Sequence, residues 1–167
     1  VRLTAFAYKR NRSHFETAFA ENISDEMRAL FDWLEGNVDR VFGHFSQRPG
    51  TLIHGDYRLD NLFFDDRSDD GLPILADWQV PGWGNGLYDL AYFLLGSLAA
   101  DASSERERAL VIHYHEALLE KNVSDYSFDE CWADYQVARL VVLMRVVSTI
   151  GEIHSTNERG IRLFSSW

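Results

Sequence analysis

Two short apolar runs, Leu62 to Phe64 and Ile74 to Ala76, enclose a stretch dense in Asp, Ser and Gly, and no other pattern in the chain constrains the fold as much. It reads as a β-hairpin with a long tip. Thr51-Leu-Ile-His-Gly-Asp-Tyr-Arg-Leu-Asp-Asn leads into the first run, and Asp77-Trp follows the second. In an antiparallel pair, the residue before one strand and the residue after its partner share one open end. Asn61 and Asp77 hold those two positions, with Asp56 one short loop upstream. Three oxygen-bearing side chains are therefore expected at one mouth.

A carboxylate and an amide oxygen on one hard cation suit Mg²⁺, which completes its shell with water and substrate phosphates. A further carboxylate beside them can orient a hydroxyl and take its proton, and phosphoryl transfer needs this set of parts. Gly55 suits a tight turn that presents Asp56. His54, at the end of the strand-like Thr51-Leu-Ile, reads as a group that holds the loop by hydrogen bonds.

His54-Gly55-Asp56-x-x-x-x-Asn61 with the later Asp77 resembles the signature of the aminoglycoside phosphotransferase and choline kinase group, a branch of the protein-kinase-like fold. The resemblance implies that Asp56 is the catalytic Asp, that Asn61 and Asp77 bind Mg²⁺ and through it the cofactor, and that ATP or another nucleoside triphosphate is the phosphoryl donor. Trp78-Gln79 stands where protein kinases have Phe-Gly. Asp89, in Gly86-Leu-Tyr-Asp-Leu-Ala-Tyr-Phe-Leu, matches the Asp that opens the family's next helix and tethers the catalytic loop. The matching stretch runs from about Thr51 to Leu95. A single Asp-containing turn would not carry this reading; the combination does.

The remaining elements are helical. Ser24 reads as an N-cap, with acids in the first turn and apolar residues at 27, 30, 31, 34, 38, 41, 42 and 45. Residues 1–23 give no firm assignment, and a strand carrying Lys9 stays open there. Residues 80–86 read as a loop, followed by a helix from about Leu87 to Ala100. Ser104-x-x-Glu107 and Ser127-x-x-Glu130 read as capping boxes opening two further helices, the last closing near Gly151. The expected class is α+β and mostly helical: a kinase-like large, C-terminal lobe, residues 1–167 as one domain, with a short β-hairpin carrying the catalytic loop.

A complete kinase also needs a Gly-rich strand-turn-strand and a strand Lys to clamp ATP. Only two lysines occur, Lys9 and Lys121, no Gly-rich loop precedes residue 50, and the chain starts at Val1 without an initiator Met. The expectation is therefore a lobe of a longer enzyme whose N-terminal nucleotide-binding lobe lies outside this chain, weakly active or inactive alone. Two rivals stand beside the kinase: a non-catalytic kinase-like binding module, and a metal-dependent phosphohydrolase using the same acids.

Composition narrows the partners. A net charge of −10 argues against nucleic acid, whose phosphates demand Lys and Arg, and favours a cationic small-molecule hydroxyl acceptor. No apolar run approaches the roughly 18 residues of a membrane span, and no basic-then-apolar leader is seen. The one cysteine, Cys131, fits a reducing compartment, so a cytoplasmic protein is expected.

Several lesser signals read as structural. Gly82-Trp-Gly-Asn-Gly fails the dinucleotide spacing, because the third glycine of G-x-G-x-x-G falls on Leu87. Trp78 and Trp83 read as packed side chains near the substrate mouth. Asp65, Asp66, Asp69 and Asp70 read as a solvated turn at the hairpin tip, and Asp60 as loop structure. His113 and His115 face different sides of a helix and do not chelate together. Arg139 and Arg145 read as ion-paired or snorkelling. Asp129, Glu130, Asp134 and Glu152 read as solvated surface acids, with a cationic substrate as the alternative.

Overall fold

Ser24 starts the best-signalled helix: its side chain accepts from the Met27 N–H at 3.2 Å, and Asp25 and Glu26 fill the positive first turn. The computed structural model describes residues 2–64, 71–97 and 104–150. They form α1 (Arg2–Ala18), α2 (Asp25–Ser46), β1 (Thr51–Ile53), a 3-10 turn (Leu59–Asn61), β2 (Leu62–Phe63), β3 (Ile74–Leu75), β4 (Gly82–Gly84), α3 (Leu87–Ser97), α4 (Ser104–Glu120) and α5 (Phe128–Ile150). The result is mostly helical, with two small antiparallel strand pairs at one end, as a kinase-like lobe requires.

α5 is the pillar of the core. Cys131, Tyr135, Ala138, Val142, Met144 and Val147 are all at 0% exposure along it, and it packs against α1, α2, α3 and α4. A helix apolar on nearly every side has to lie inside. α2 turns Phe31, Leu34, Val38, Val41, Phe42 and Phe45 inward, and α3 turns Leu87, Ala91 and Leu94. Leu34, at 0% exposure, typifies side chains whose truncation to Ala costs about 2–5 kcal/mol.

The first segment is a helix, so Lys9 is an exposed helical residue and not a strand lysine. Tyr8, Asn11, Phe15 and Phe19 fall at spacings of three and four and are all buried. Their stripe escapes notice because its second member is polar. Asn11 is buried with its amide donating to the Ser148 carbonyl of α5 at 2.5 Å, and the Tyr8 hydroxyl donates to the Phe31 carbonyl at 3.2 Å. Arg12 then ties α1 to α2, with Glu16 at 2.8 Å, Asp32 at 2.6 Å and Glu35 at 2.8 Å.

The hairpin forms between β2 and β3, paired Leu62 to Leu75 and Phe63 to Ile74, one residue shorter per strand than expected. Residues 80–86 are not all loop. β4 pairs with β1, setting Thr51 opposite Gly84, Leu52 opposite Trp83 and Ile53 opposite Gly82. Glycine permits this: a Cβ on Gly84 would stand 3.2 Å from the Ile53 Cδ1. Ser127 and Glu130 form the expected capping box, with the Glu130 N–H on the Ser127 hydroxyl at 3.3 Å and the Glu130 carboxylate on the Ser127 N–H at 2.9 Å. The other expected box is different: Ser104 is the first described residue of α4, and the Glu107 carboxylate accepts from the Tyr135 hydroxyl at 2.6 Å. Gly151 and Ala100, the expected helix ends, fall outside the described residues, as do Asp65, Asp66, Asp69, Asp70 and Glu152. Among the described residues no helix is long and apolar enough to cross a membrane.

Candidate active site

β1 delivers His54 into the interior, where it is 1% exposed. Its backbone N–H donates to one carboxylate oxygen of Asp89 at 2.6 Å, and the Gly55 N–H donates to the other at 2.9 Å. Asp89 sits in the first turn of α3, so one side chain fastens the loop to the helical body. The His54 ring adds two restraints. Its Nε2 donates to the Ala76 carbonyl at 2.8 Å, and its Nδ1 accepts the Asp56 N–H at 3.3 Å. Those partners fix the tautomer, because a carbonyl can only accept and an N–H can only donate. The Trp78 ring closes over His54 edge-on at 4.7 Å.

Gly55 has φ +82°, and a Cβ there would collide with the Val80 carbonyl oxygen. Both facts demand glycine. The turn sets Asp56 on the far side of His54, with its side chain 17% exposed. Asn61, itself 6% exposed, donates its amide to the Asp56 carbonyl at 2.9 Å and to the Asp56 carboxylate at 3.2 Å. The Asn61 backbone carbonyl accepts from the Ala76 N–H at 2.9 Å, which places Asp77 next in chain at the same end of the hairpin. Asp77 has φ +63°, a left-handed conformation uncommon for a residue with a side chain and typical of strained functional positions. Its carboxylate is exposed, with the Gln79 amide 3.4 Å away.

This donor set fits Mg²⁺. The Asn61 amide nitrogen is committed to Asp56, so its oxygen is turned away from that carboxylate, and Asp77, met only by the Gln79 amide at 3.4 Å, offers an exposed carboxylate at the same end of the hairpin. Among the described residues no three His, Cys, Asp or Glu side chains group to hold a metal. A closed transition-metal cage is therefore not built there, whereas an open oxygen site needs only one or two protein ligands.

Two neighbours of Asp56 carried no signal in the sequence reading. The Arg58 Nε lies 3.4 Å from the Asp56 carboxylate, near enough for charge attraction but misaligned, so this buried N–H has no hydrogen-bond partner. Its Nη1 reaches Asp60 at 3.5 Å, which makes Asp60 part of the loop's ion pairing. Tyr92, one turn beyond Asp89 on α3, has its phenol pushed well above the usual range by burial and by the Asp56 charge. The spacing Asp89 to Tyr92 on one helix face could have suggested it.

The lesser signals divide: the His113/His115 and Arg139 readings hold, while those of Trp83 and Asp134 do not. Trp83 is not packed: it is 78% exposed, with its indole lying against Gly50, and Trp78 is 44% exposed. Asp134 is no surface acid. It is fully buried and gathers Arg48 at 2.8 Å, His44 at 3.1 Å and the Tyr126 hydroxyl at 2.8 Å. Burial and that hydrogen bond push the Tyr126 phenol far up. His115 is buried with its Nε2 on the Tyr126 carbonyl at 2.7 Å, apart from the exposed His113. Arg139 pairs with Glu107 at 3.4 Å, while Arg145 is exposed.

With that geometry in hand, comparison with known proteins is informative. The model of the ecdysteroid kinase-like family matches residues 4–126, most of the chain. Acyl-CoA dehydrogenase family member 10 of Mus musculus is 38% identical over 69 residues, 41% of this chain and 6% of that protein. Probable acyl-CoA dehydrogenase IBR3 of Arabidopsis thaliana is 36% identical over 67 residues, 40% of this chain and 8% of that protein. Acyl-CoA dehydrogenase family member 11 of Homo sapiens is 36% identical over 69 residues, again 8% of its length. The chain thus spans less than a tenth of these relatives, too little to bring their dehydrogenase activity with it.

Proposed function

The chain belongs to the ecdysteroid kinase-like family, and from that premise we propose that it is the catalytic lobe of an ATP-dependent phosphotransferase acting on a hydroxyl of a small molecule. The observation that carries the reading is the hydrogen-bonded unit of Asp56 and Asn61, joined through the Ala76 backbone to a left-handed Asp77. In it Asp56 orients the acceptor hydroxyl and takes its proton, while Asn61 and Asp77 would hold the Mg²⁺ that accompanies the nucleotide. The metal supplies charge neutralisation for the transferring group. Asp89 and His54 keep the loop in register, and Gly55 makes the turn.

A nucleotide-binding lobe has to meet this end of the molecule. Support comes from the apolar side chains exposed there: Leu52, Phe63, Phe64, Leu72 and Ile74 all exceed half exposure, a face that a second lobe would cover. We place the enzyme in the cytoplasm because its single cysteine is a buried free thiol. The acceptor is taken to be a polyhydroxylated or cationic alcohol. The family's name puts ecdysteroids first for assay, and the aminoglycoside phosphotransferase and choline kinase resemblance adds aminoglycosides and choline.

The test joins this chain to its nucleotide lobe and measures ADP formation with Mg-ATP and each acceptor. Acceptor-dependent turnover that disappears in Asp56→Ala is expected. Phosphate release without any acceptor would make the protein a hydrolase, and nucleotide-independent acceptor binding alone would make it a binding module.

A further inference from the structure

A cavity of about 410 Å³ opens between α1, α2, α3 and α5, walled by Phe15, Leu30, Leu95, Leu140 and Leu143. A cavity of this size, open to solvent past the half-exposed Met27, lies within the size range of small-molecule sites. Its lining is distinct from the residues of the catalytic loop. Leu30 lies 17 residues before Gln47, about 25 Å of helix from the end of α2 that leads into β1. On α3, Asp89 fastens the loop at one end and Leu95 walls the cavity toward the other. None of His54, Asp56, Asn61, Asp77 and Asp89 lines the cavity, which makes it a cleft separate from the candidate active site.

The polar lining says what the ligand carries. Gln136 and Arg139 lie one turn apart on α5, and the Gln136 carbonyl oxygen accepts from the Arg139 Nη1 at 3.1 Å. That bond leaves the Gln136 amide N–H groups to donate elsewhere. The Arg139 charge is already met by Glu107 at 3.4 Å. An anionic head is therefore not called for, whereas a neutral acceptor oxygen is. We propose that this cavity is a second ligand site, taking an apolar molecule of roughly ten heavy atoms or more that carries one uncharged hydrogen-bond-accepting oxygen, oriented by Gln136. The assignment stands independently of the phosphotransferase reading.

Methyl-labelled protein titrated with 2-nonanone, with nonanoate as the charged comparison, tests it. Saturable shifts at the methyl groups of Met27, Leu30 and Leu143 are expected, with Ile53 near the loop unmoved. Leu140→Trp, which fills the cavity, should weaken 2-nonanone at least tenfold. Met27 is 38% exposed at the rim, so Met27→Trp blocks entry without loading the core and decides the matter if the first variant unfolds. Gln136→Met should weaken 2-nonanone about threefold to tenfold. The proposal is overturned if no saturable shift appears, if binding survives Met27→Trp unchanged, or if nonanoate binds ten times tighter than the ketone.

Discussion

The loop end and the helical body of this lobe are stabilised by different forces. In the body, α5 is sheathed by four helices, and side chains such as Tyr135, Val142 and Met144 have no contact with solvent. Each large apolar group buried this way contributes about 1.5–3 kcal/mol. At the loop end the strands are two or three residues long, and Leu52, Phe63 and Ile74 face water. Conformation there is imposed by a few directional bonds: two from Asp89, two from His54 and two from Asn61. The lesson is a division of labour. The body supplies rigidity, and polar side chains transmit it to a loop whose own packing is slight. Asp134 is the exception, a polar group at the centre of the body, where it joins the end of α2 to α5.

If that division is right, chemistry and stability should come apart under mutation. The largest effect is expected for Asp56→Ala in a polypeptide carrying both lobes. Loss of a general base removes about 10²–10⁴-fold of rate, while the thermal midpoint stays within a degree or two. A midpoint that falls with the rate would show the loop to be part of the body's cooperative unit. Asp134→Ala should do the reverse. Removing the buried carboxylate strands the Tyr126 hydroxyl and releases Arg48 and His44, at a cost of about 1–3 kcal/mol, read as an earlier urea midpoint, with residual activity per folded molecule unchanged.

Asp89→Ala probes the joint between the two regions. It strands the His54 and Gly55 N–H groups at about 1–3 kcal/mol, so those amides should exchange with solvent markedly faster while Val142 keeps its protection. Equal acceleration at Val142 would erase the distinction. The smallest effect is alkaline. Burial pushes Tyr88 and Tyr114 up to about 12 and Cys131 up to about 11. A group whose folded value is raised contributes stability fully present below its unfolded value and lost as pH rises through the folded one. Stability should hold to about pH 9, decline as the thiol passes 9–11, and fall further as the phenols pass 10–12. Unfolding by urea followed at pH 8.5, 10 and 11.5 checks the order, and a flat profile would place these groups in water.

Much of this was legible in the sequence, and what was missed has physical causes. α2 could be read because Ser24, two acids and a regular apolar stripe agree with one another. The hairpin and its open end followed from two apolar runs and the positions of Asn61 and Asp77. α1 was obscured because its buried stripe includes Asn11, whose partner at Ser148 is 137 residues away. The β4 strand hid in a Gly-Trp-Gly that local preference assigns to loops, since its pairing with β1 is tertiary. Asp134 could not be read as buried because its counter-charge, Arg48, comes from a different helix end. Periodicity sees local order; it does not see polar groups whose partners are distant.

Binding of Mn²⁺ with ATP to a polypeptide carrying both lobes, read as paramagnetic broadening of assigned amides in this lobe, tests the central claim most directly. The account predicts that Asn61 and Asp77 broaden together, that Asp56 follows, that Val142 stays sharp, and that Asp77→Ala removes the effect. Broadening spread over the acidic surface, or unchanged in that variant, would contradict it.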